Sequence, residues 1–130
     1  MNKIFIVGIG GFIGSIMRYL ISMTVNHWTQ SVHFPYGILT VNMIGCLLIG
    51  ICSQIDESFH LFSINAHLLL FTGIFGGFTT YSSFSNDTIN LMVKNIHYAF
   101  INVSVHIVFG LLSVWIGRMI VCLFINKQFN

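Results

Sequence analysis

The segment GGFTTYSSFS combines aromatic rings and hydroxyl groups at helical spacing. Phe78, Tyr81 and Phe84 recur at every third position, so their rings are expected to share one face of a helix, and Thr80 and Ser83 form a neighbouring row of hydroxyls. The edge of an aromatic ring is electropositive, and a hydroxyl can donate a hydrogen bond. Such a face can line a path for a small, hard anion. Alternatively, it is an aromatic packing seam whose hydroxyls bond to their own helix.

Two glycines open this segment, directly after the apolar run AHLLLFTGIF. Each glycine is about 1 kcal/mol less favourable in a helix than alanine. A broken helix at membrane depth is tolerated only where its freed backbone is buried in protein or faces water. The freed carbonyl oxygens can coordinate a hard monovalent cation. The sequence therefore predicts a helix that is broken at Gly76-Gly77.

Other polar side chains interrupt apolar stretches elsewhere in the chain. Asn42, in GILTVNMIGCLLIG, must face protein or water, and it either ties two helices together or offers its NH₂ group to a small anion. Arg18 either extends to the membrane surface or turns inward, where it draws anions to a vestibule or fixes a partner helix. Asn102, His106 and Ser113 share one helical face, on which a histidine is more often a packing and hydrogen-bonding residue than a ligand.

An all-α membrane protein is needed to position these residues. Of the 130 residues, 55% are hydrophobic and only 6% are charged, whereas soluble domains carry about 25% charged residues. Each helical span needs about 20 apolar residues, so residues 1–130 are predicted to form a single domain of four transmembrane helices. The predicted spans are 4–25, 37–53, 65–85 and 98–125, and Gly10 and Gly14 in the first span are spaced for close helix approach.

Acidic residues are absent from all four predicted spans, since Asp56 and Glu57 fall in a predicted turn and Asp87 follows the third span. Proton- and sodium-driven transporters commonly use intramembrane carboxylates. This absence argues against a dual-topology small multidrug exporter, which is similar in size and span number. A membrane assembly subunit that transports nothing is a third possibility. The charges are too sparse for a nucleic-acid surface, and no set of nucleophile, base and acid indicates a hydrolase.

Basic residues are almost evenly divided across the predicted membrane. Lys3, Lys127 and, near the end of the fourth span, Arg118 lie toward one side, and Lys94 and Arg18 lie toward the other. The side with more Lys and Arg normally stays in the cytoplasm. With so small a difference, two oppositely inserted copies can pair about a two-fold axis in the membrane plane. The alternative is a single topology that is set by subtler cues.

Three segments together resemble the signatures of the Fluc/CrcB family of fluoride channels, namely GGFIGSIMRY, GILTVNMIG and GIFGGFTTYSSFSND, and the resemblance covers essentially the whole chain. It implies a small channel of the bacterial inner membrane, not an enzyme. Such a channel lets fluoride leave the cytoplasm passively and so lowers its toxicity. The resemblance also implies an antiparallel, dual-topology homodimer with two pores.

The same resemblance assigns roles to individual residues. Asn42 matches the family's pore asparagine, and Tyr81 and Phe84 match two phenylalanines whose ring edges face fluoride. Arg18 matches a vestibule arginine, and Asp87 stands where an acidic residue follows the motif. The predicted fluoride pathway contains Asn42, Tyr81, Phe84, Thr80, Ser83, Arg18 and His106.

A structural Na⁺ is also implied by the resemblance, held at the dimer interface by the backbone carbonyls of Gly76 and Thr79. The chain departs from the family pattern at three positions. Tyr81 replaces a phenylalanine, Ile38 stands where a threonine is frequent, and Gly110 stands where some relatives carry a hydroxyl. These departures concern the details of conduction.

Overall fold

The computed structural model describes residues 2–31 and 34–128, and the regular elements in these two ranges are all helices. The predicted all-α class is therefore confirmed. Of the loop predicted over 26–35, residues 26–29 are helical instead, and of the tail predicted over 126–130, residues 126–128 are helical; residues 32, 33, 129 and 130 lie outside the described residues. The elements are α1 (Asn2–Thr29), α2 (Tyr36–Phe59), α3 (Ile64–His67), a π-helical segment π1 (Leu68–Phe75), α4 (Gly76–Phe78), α5 (Tyr81–Lys94) and α6 (Ile96–Gln128). Because α3, π1 and α4 follow one another without a gap, they form one continuous helix, 64–78.

Within residues 2–31 and 34–128, three helices are long and apolar enough to cross a membrane: Asn2–Thr29, Tyr36–Phe59 and Ile96–Lys127. They contain the first, second and fourth predicted spans, so the chain is a multi-pass membrane protein. The third predicted span falls across helix 64–78 and the first turns of α5. A single helix of membrane-spanning length does not form there, because the backbone is interrupted.

Two segments that were predicted as connections are helical. Residues 54–59 belong to α2 and residues 86–94 belong to α5. Both segments are polar, which favoured loops in the sequence. Residues 54–59 contain no buried residue and simply continue α2, whereas residues 86–94 stay helical with one face buried. In α5 the buried face contains Thr88 and Leu91. The connection to α6 is reduced to Asn95, whose side-chain oxygen accepts a hydrogen bond from the His97 amide at 2.9 Å.

The break in the third predicted span lies at Thr79 and Thr80, between helix 64–78 and α5, so the predicted position at Gly76-Gly77 is wrong. Gly76 has helical backbone angles, φ −64° and ψ −37°, and α4 contains both glycines. The backbone is extended at Thr79, with φ −81° and ψ 156°, and at Thr80, with φ −147° and ψ 112°.

Packing explains why the glycines remain helical. A Cβ atom on Gly77 would lie 2.6 Å from the carbonyl oxygen of Gly11 in α1, and one on Gly10 would lie 2.8 Å from the Cα of Gly73. These glycines let α1 and helix 64–78 approach backbone to backbone, as small residues do between membrane helices. The close approach predicted for Gly10 and Gly14 is confirmed, since both residues are buried against helix 64–78.

A second close pair is formed by α2 and α6. A Cβ on Gly50 would overlap the Val114 carbonyl, and one on Gly117 would overlap the Leu47 carbonyl. One turn beyond Val114, Arg118 donates to both carboxylate oxygens of Glu57, at 3.1 and 2.7 Å, and so joins the end of α2 to α6. Helix α5 packs on the other half of α6. These contacts place α2, α5 and α6 around the break.

We expect Gly14→Ala to destabilise the protein and Gly8→Ala to leave its stability unimpaired. A Cβ at position 14 would overlap the Ile74 carbonyl and lie 2.9 Å from the Phe78 amide nitrogen, whereas one at position 8 would meet nothing within 4 Å. Overpacking of this kind costs about 1–3 kcal/mol. Both variants gain the same helix propensity, so the difference between their melting temperatures in detergent reports the effect of the close contact at position 14 alone. Equal melting temperatures would contradict the glycine packing described above.

Candidate functional site

One open groove, with a volume of about 440 Å³, runs along the break. It brings together all the predicted site residues except Arg18 and Ser83. None of the described side chains that line it is an aspartate, glutamate, lysine or arginine. We call it the aromatic groove, and it is lined by Asn42, Met43, Gly45, Cys46, Ile49, Phe71, Phe75, Gly76, Thr79, Thr80, Tyr81, Phe84, His106 and Ile107.

Asn42, in α2, forms hydrogen bonds to the backbone at the break. Its Oδ1 accepts a hydrogen bond from the Thr80 amide at 2.9 Å, and its Nδ2 donates to the Thr80 carbonyl at 3.3 Å. A backbone amide only donates and a carbonyl only accepts, so these partners fix which way the side-chain amide points. One of the two Nδ2 hydrogens remains for another acceptor, and Asn42 lines the groove. Asn42 therefore ties two elements together and still carries a spare donor.

The same contacts release two backbone carbonyls from their usual partners. In a continuous helix the Thr80 amide would bond to the Gly76 carbonyl, but here it donates to Asn42. The Ser83 amide would likewise bond to the Thr79 carbonyl, but it donates to the Thr80 hydroxyl at 3.2 Å. Gly76 and Thr79, which were predicted as cation ligands, are thus two of the four residues, 76–79, whose carbonyls lose their helical donors at the break.

The hydroxyls after the break bond to one another. Thr80 is the N-cap of α5, and its Oγ1 lies 3.1 Å from the Ser83 Oγ and 3.2 Å from the Ser82 Oγ. Thr80 is only 6% exposed. The hydroxyl row predicted for Thr80 and Ser83 is therefore a hydrogen-bonded cluster that holds the first turn of α5 in place.

Two rings and an imidazole form a continuous series along the groove. The ring centroids of Tyr81 and Phe84 are 5.6 Å apart at an interplanar angle of 49°, and those of Phe84 and His106 are 4.4 Å apart at 42°. Tyr81 is 80% exposed. Phe78 does not join them, because it precedes the break and is buried in the core at 2% exposure. The prediction that all three rings share one face is wrong for Phe78.

A hydrogen-bonded chain holds the Phe84 turn against α6. The Thr88 hydroxyl donates to the Phe84 carbonyl at 2.7 Å, and the Asn102 Nδ2 donates to the Thr88 hydroxyl at 2.9 Å. The His106 Nδ1 lies 2.9 Å from the Asn102 carbonyl oxygen. Thr88 was missed by the sequence analysis, although its position four residues after Phe84 was the available signal. Ser113, on the same predicted face of α6, instead contacts the Met43 sulfur at 3.9 Å.

Arg18 and Ser83 line a different groove, with a volume of about 510 Å³, which we call the arginine groove. No carboxylate within residues 2–31 and 34–128 forms an ion pair with Arg18. A polar pocket that shares Ser83 with this groove contains Asp87, and burial raises the pKa of the Asp87 carboxyl, while the neighbouring His106 acts in the opposite direction. The arginine groove is lined by Ser15, Arg18, Tyr19, Ser22, Met23, Asn26, Ile38 and Ser83.

Comparisons with known proteins agree on one family. The family model described as CrcB-like protein, Camphor Resistance (CrcB), matches residues 5–118. The fluoride-specific ion channel FluC of Parabacteroides distasonis is 46% identical over 118 residues, covering 90% of this chain and 91% of the relative. The protein of the same name from Flavobacterium psychrophilum is 39% identical over 121 residues, covering 92% and 97%. That from Clostridium novyi is 42% identical over 114 residues, covering 87% and 88%.

Proposed function

Because this chain belongs to the CrcB family, we propose that it is a fluoride-selective passive ion channel and not an enzyme. In its proposed role it exports fluoride from the cytoplasm of a bacterium through the inner membrane and so lowers the toxicity of the ion. The observation that carries this proposal is the composition of the aromatic groove. A spare amide donor and two tilted rings meet there at a helix break, and none of the described lining residues is a carboxylate.

The donors of the groove suit a small anion that gives up its water. Fluoride accepts hydrogen bonds, and a hydrogen bond from the free Nδ2 hydrogen of Asn42 can replace one that the ion loses when it leaves water. The positive edges of Tyr81 and Phe84 provide weaker, apolar contacts on the same side of the break. A larger or softer anion gains less from these few close donors. Selectivity for fluoride over chloride then follows from the size of the ion and the strength of its hydrogen bonds.

Fluoride reaches the aromatic groove by way of the arginine groove in this proposal. The unpaired guanidinium of Arg18 raises the local concentration of anions. Ser83 lines the arginine groove and bonds to Thr80, which lines the aromatic groove, so the hydroxyl cluster lies between the two. A negative interior then favours exit of a monovalent anion by about 2.3 kcal/mol for each 100 mV. No coupling ion is needed.

The channel assembles as an antiparallel homodimer in this proposal. Thr79, whose backbone is extended, is only partly buried in the single chain, and Gly76 and Tyr81, which flank the break, are exposed on its surface. Irregular backbone at membrane depth cannot face lipid and must be covered by protein or line water. A second copy provides that cover. The nearly even distribution of lysine and arginine favours opposite insertion of the two copies.

The residues at the break fit a structural Na⁺. The carbonyls of Gly76 and Thr79 lose their helical donors, and unwound carbonyls are a usual Na⁺ ligand in membrane proteins. A bound Na⁺ supplies positive charge that compensates these oxygens. In the antiparallel dimer, the two copies together would contribute both pairs of carbonyls.

The proposed function is tested by growth of a bacterial strain that lacks its own fluoride exporter. Expression of this chain is expected to restore growth in fluoride medium, because the leak lowers cytoplasmic fluoride. Expression of the Asn42→Ala variant at the same level is the control and is expected to restore nothing. If the wild-type chain fails to protect cells while present in their membranes, the proposal is wrong, and a non-transporting assembly subunit becomes the better description. Protection against cationic drugs instead would favour the exporter.

A further inference from the structure

Two buried side-chain atoms have no hydrogen-bond partner among the residues that the structure describes, the Asn102 Oδ1 and the His106 Nε2. They lie one turn apart on α6, and the ring of His106 packs against that of Phe84. A buried acceptor without a donor costs about 1–3 kcal/mol. The lack of a partner for His106 is the more informative of the two, because this residue lines the aromatic groove.

The contacts of His106 determine where its proton resides when the ring is neutral. Its Nδ1 lies 2.9 Å from the backbone carbonyl oxygen of Asn102. Since a carbonyl oxygen only accepts hydrogen bonds, Nδ1 must carry a hydrogen. A neutral imidazole has only one, so Nε2 then presents a lone pair. In this state the atom repels an anion, and it becomes a donor only when the ring binds a second proton.

We propose that His106 is a proton-linked contact for the conducted anion, at which the imidazole takes a proton from a hydronium ion of the solvent when fluoride enters and then donates Nε2–H to the ion. The inference rests on the proposed function and adds a specificity-determining residue to it. Phe84, whose ring centroid is 4.4 Å from that of His106, is the ring that turns aside to admit the ion to Nε2. An O–H bond of the hydronium ion breaks as the Nε2–H bond forms, and the transfer reverses when fluoride leaves, so the imidazole is neutral again after each ion passes.

Few other groups near His106 can titrate. From α5 these are Tyr81, in the same groove, and Asp87, whose charge acts on the imidazole. From α2 the groove receives the thiol of Cys46. Fluoride binding and proton binding at one site must strengthen each other equally. Fluoride flux is therefore greatest at low pH and declines as pH rises.

The experiment measures fluoride efflux from vesicles between pH 5.5 and 8.5, after subtraction of efflux from protein-free vesicles at each pH. Above the midpoint of its pH dependence, wild-type flux is expected to fall by about tenfold for each pH unit, because conduction requires one bound proton. His106→Gln places an amide N–H where Nε2 lies, so its flux is expected to be independent of pH. His106→Asn restores only a donor near the Nδ1 position, and its flux is expected to be low at every pH. Asp87→Asn is expected to keep the pH dependence.

The outcomes separate this inference from the proposed function. Fluoride flux in the wild type that does not change with pH would overturn the role of His106 while leaving the channel intact. A pH dependence that persists in His106→Gln, or disappears in Asp87→Asn, would also overturn it. Absence of fluoride flux from the wild type at every pH would instead overturn the proposed function itself. Similar melting temperatures of the variants and the wild type in detergent verify that the comparison concerns folded protein.

Discussion

Replacing Asn42 by alanine is expected to lower fluoride efflux from vesicles by at least about 100-fold, which corresponds to about 3 kcal/mol. The substitution removes the spare Nδ2 donor that lines the aromatic groove. It also removes both hydrogen bonds that fix Thr80 at the break. A hydrogen bond to a charged group contributes about 1.5–3 kcal/mol, and a buried amide left without its partner costs about 1–3 kcal/mol. The measurement is the initial rate of fluoride efflux, which is recorded with a fluoride electrode once the membrane potential that opposes efflux has been removed.

Cys46→Ala is the matched control, since Cys46 lies one turn further along α2 and lines the same groove without a strong donor. Its flux is expected to stay close to that of the wild type. Size-exclusion chromatography of both variants in detergent checks that the assembly is retained. A fully active Asn42→Ala protein would remove Asn42 from the pathway. A low flux in both variants would indicate that the groove is sensitive to any change, not to the loss of this donor.

Replacing Phe84 by isoleucine is expected to abolish the fluoride flux, leaving only the leak of protein-free vesicles. Isoleucine keeps an apolar side chain of moderate size but has no positive ring edge. It also loses the ring contacts on both sides, with Tyr81 at 5.6 Å and with His106 at 4.4 Å. The hydrogen bonds of the Phe84 carbonyl to Thr88 and onward to Asn102 use no atom of the ring, so the fold is expected to survive.

Tyr81→Phe distinguishes the ring from the hydroxyl. This variant keeps the ring and restores the residue expected from the family pattern. The Tyr81 side chain is 80% exposed, so loss of its hydroxyl leaves the packing of the single chain unchanged. We expect this variant to conduct fluoride. If it is inactive while Phe84→Ile conducts, the hydroxyl of Tyr81 carries the contact that we assign to the rings.

The sequence was sufficient to predict the helices that depend on apolar composition. The first, second and fourth predicted spans lie within α1, α2 and α6, because each has the length and apolarity that a membrane crossing requires. Close packing at Gly10 and Gly14 was also predictable, since small residues at this spacing permit backbones to meet. The helix over residues 86–94 was not predictable, because loops have the same polar character. Only the contacts of Thr88 and Leu91 with the rest of the fold distinguish a helix from a loop here.

The position of the break could not be derived from local propensity. Gly76 and Gly77 are the weakest helix formers in the segment, yet Gly77 remains helical because it packs against Gly11. The interruption falls instead where Asn42 binds the amide and carbonyl of Thr80, 38 residues away in the chain. This long-range pair replaces the helical bonds that the backbone loses. The sequence identified both glycines and Asn42 as special residues, but the pairing of Asn42 with Thr80 appears only in the structure.

The candidate site was predicted more completely than the contacts that position it. Asn42, Tyr81, Phe84 and His106 share one groove, as a single ion path requires, whereas Arg18 lies in a separate groove. The chain of bonds from Phe84 through Thr88 and Asn102 to His106 joins α5 to α6. Of its members only Thr88 did not stand out in the sequence, and the partnership of all four depends on how the two helices pack.

Fluoride and chloride efflux from vesicles that contain the purified protein tests the central claim most directly. Both ions are loaded together, the potential is released with a potassium ionophore, and each is followed with its own electrode. We predict rapid fluoride efflux and chloride efflux no greater than that of protein-free vesicles. Chloride efflux comparable to that of fluoride, or no efflux of either ion, would contradict the assignment of this chain as a fluoride-selective channel.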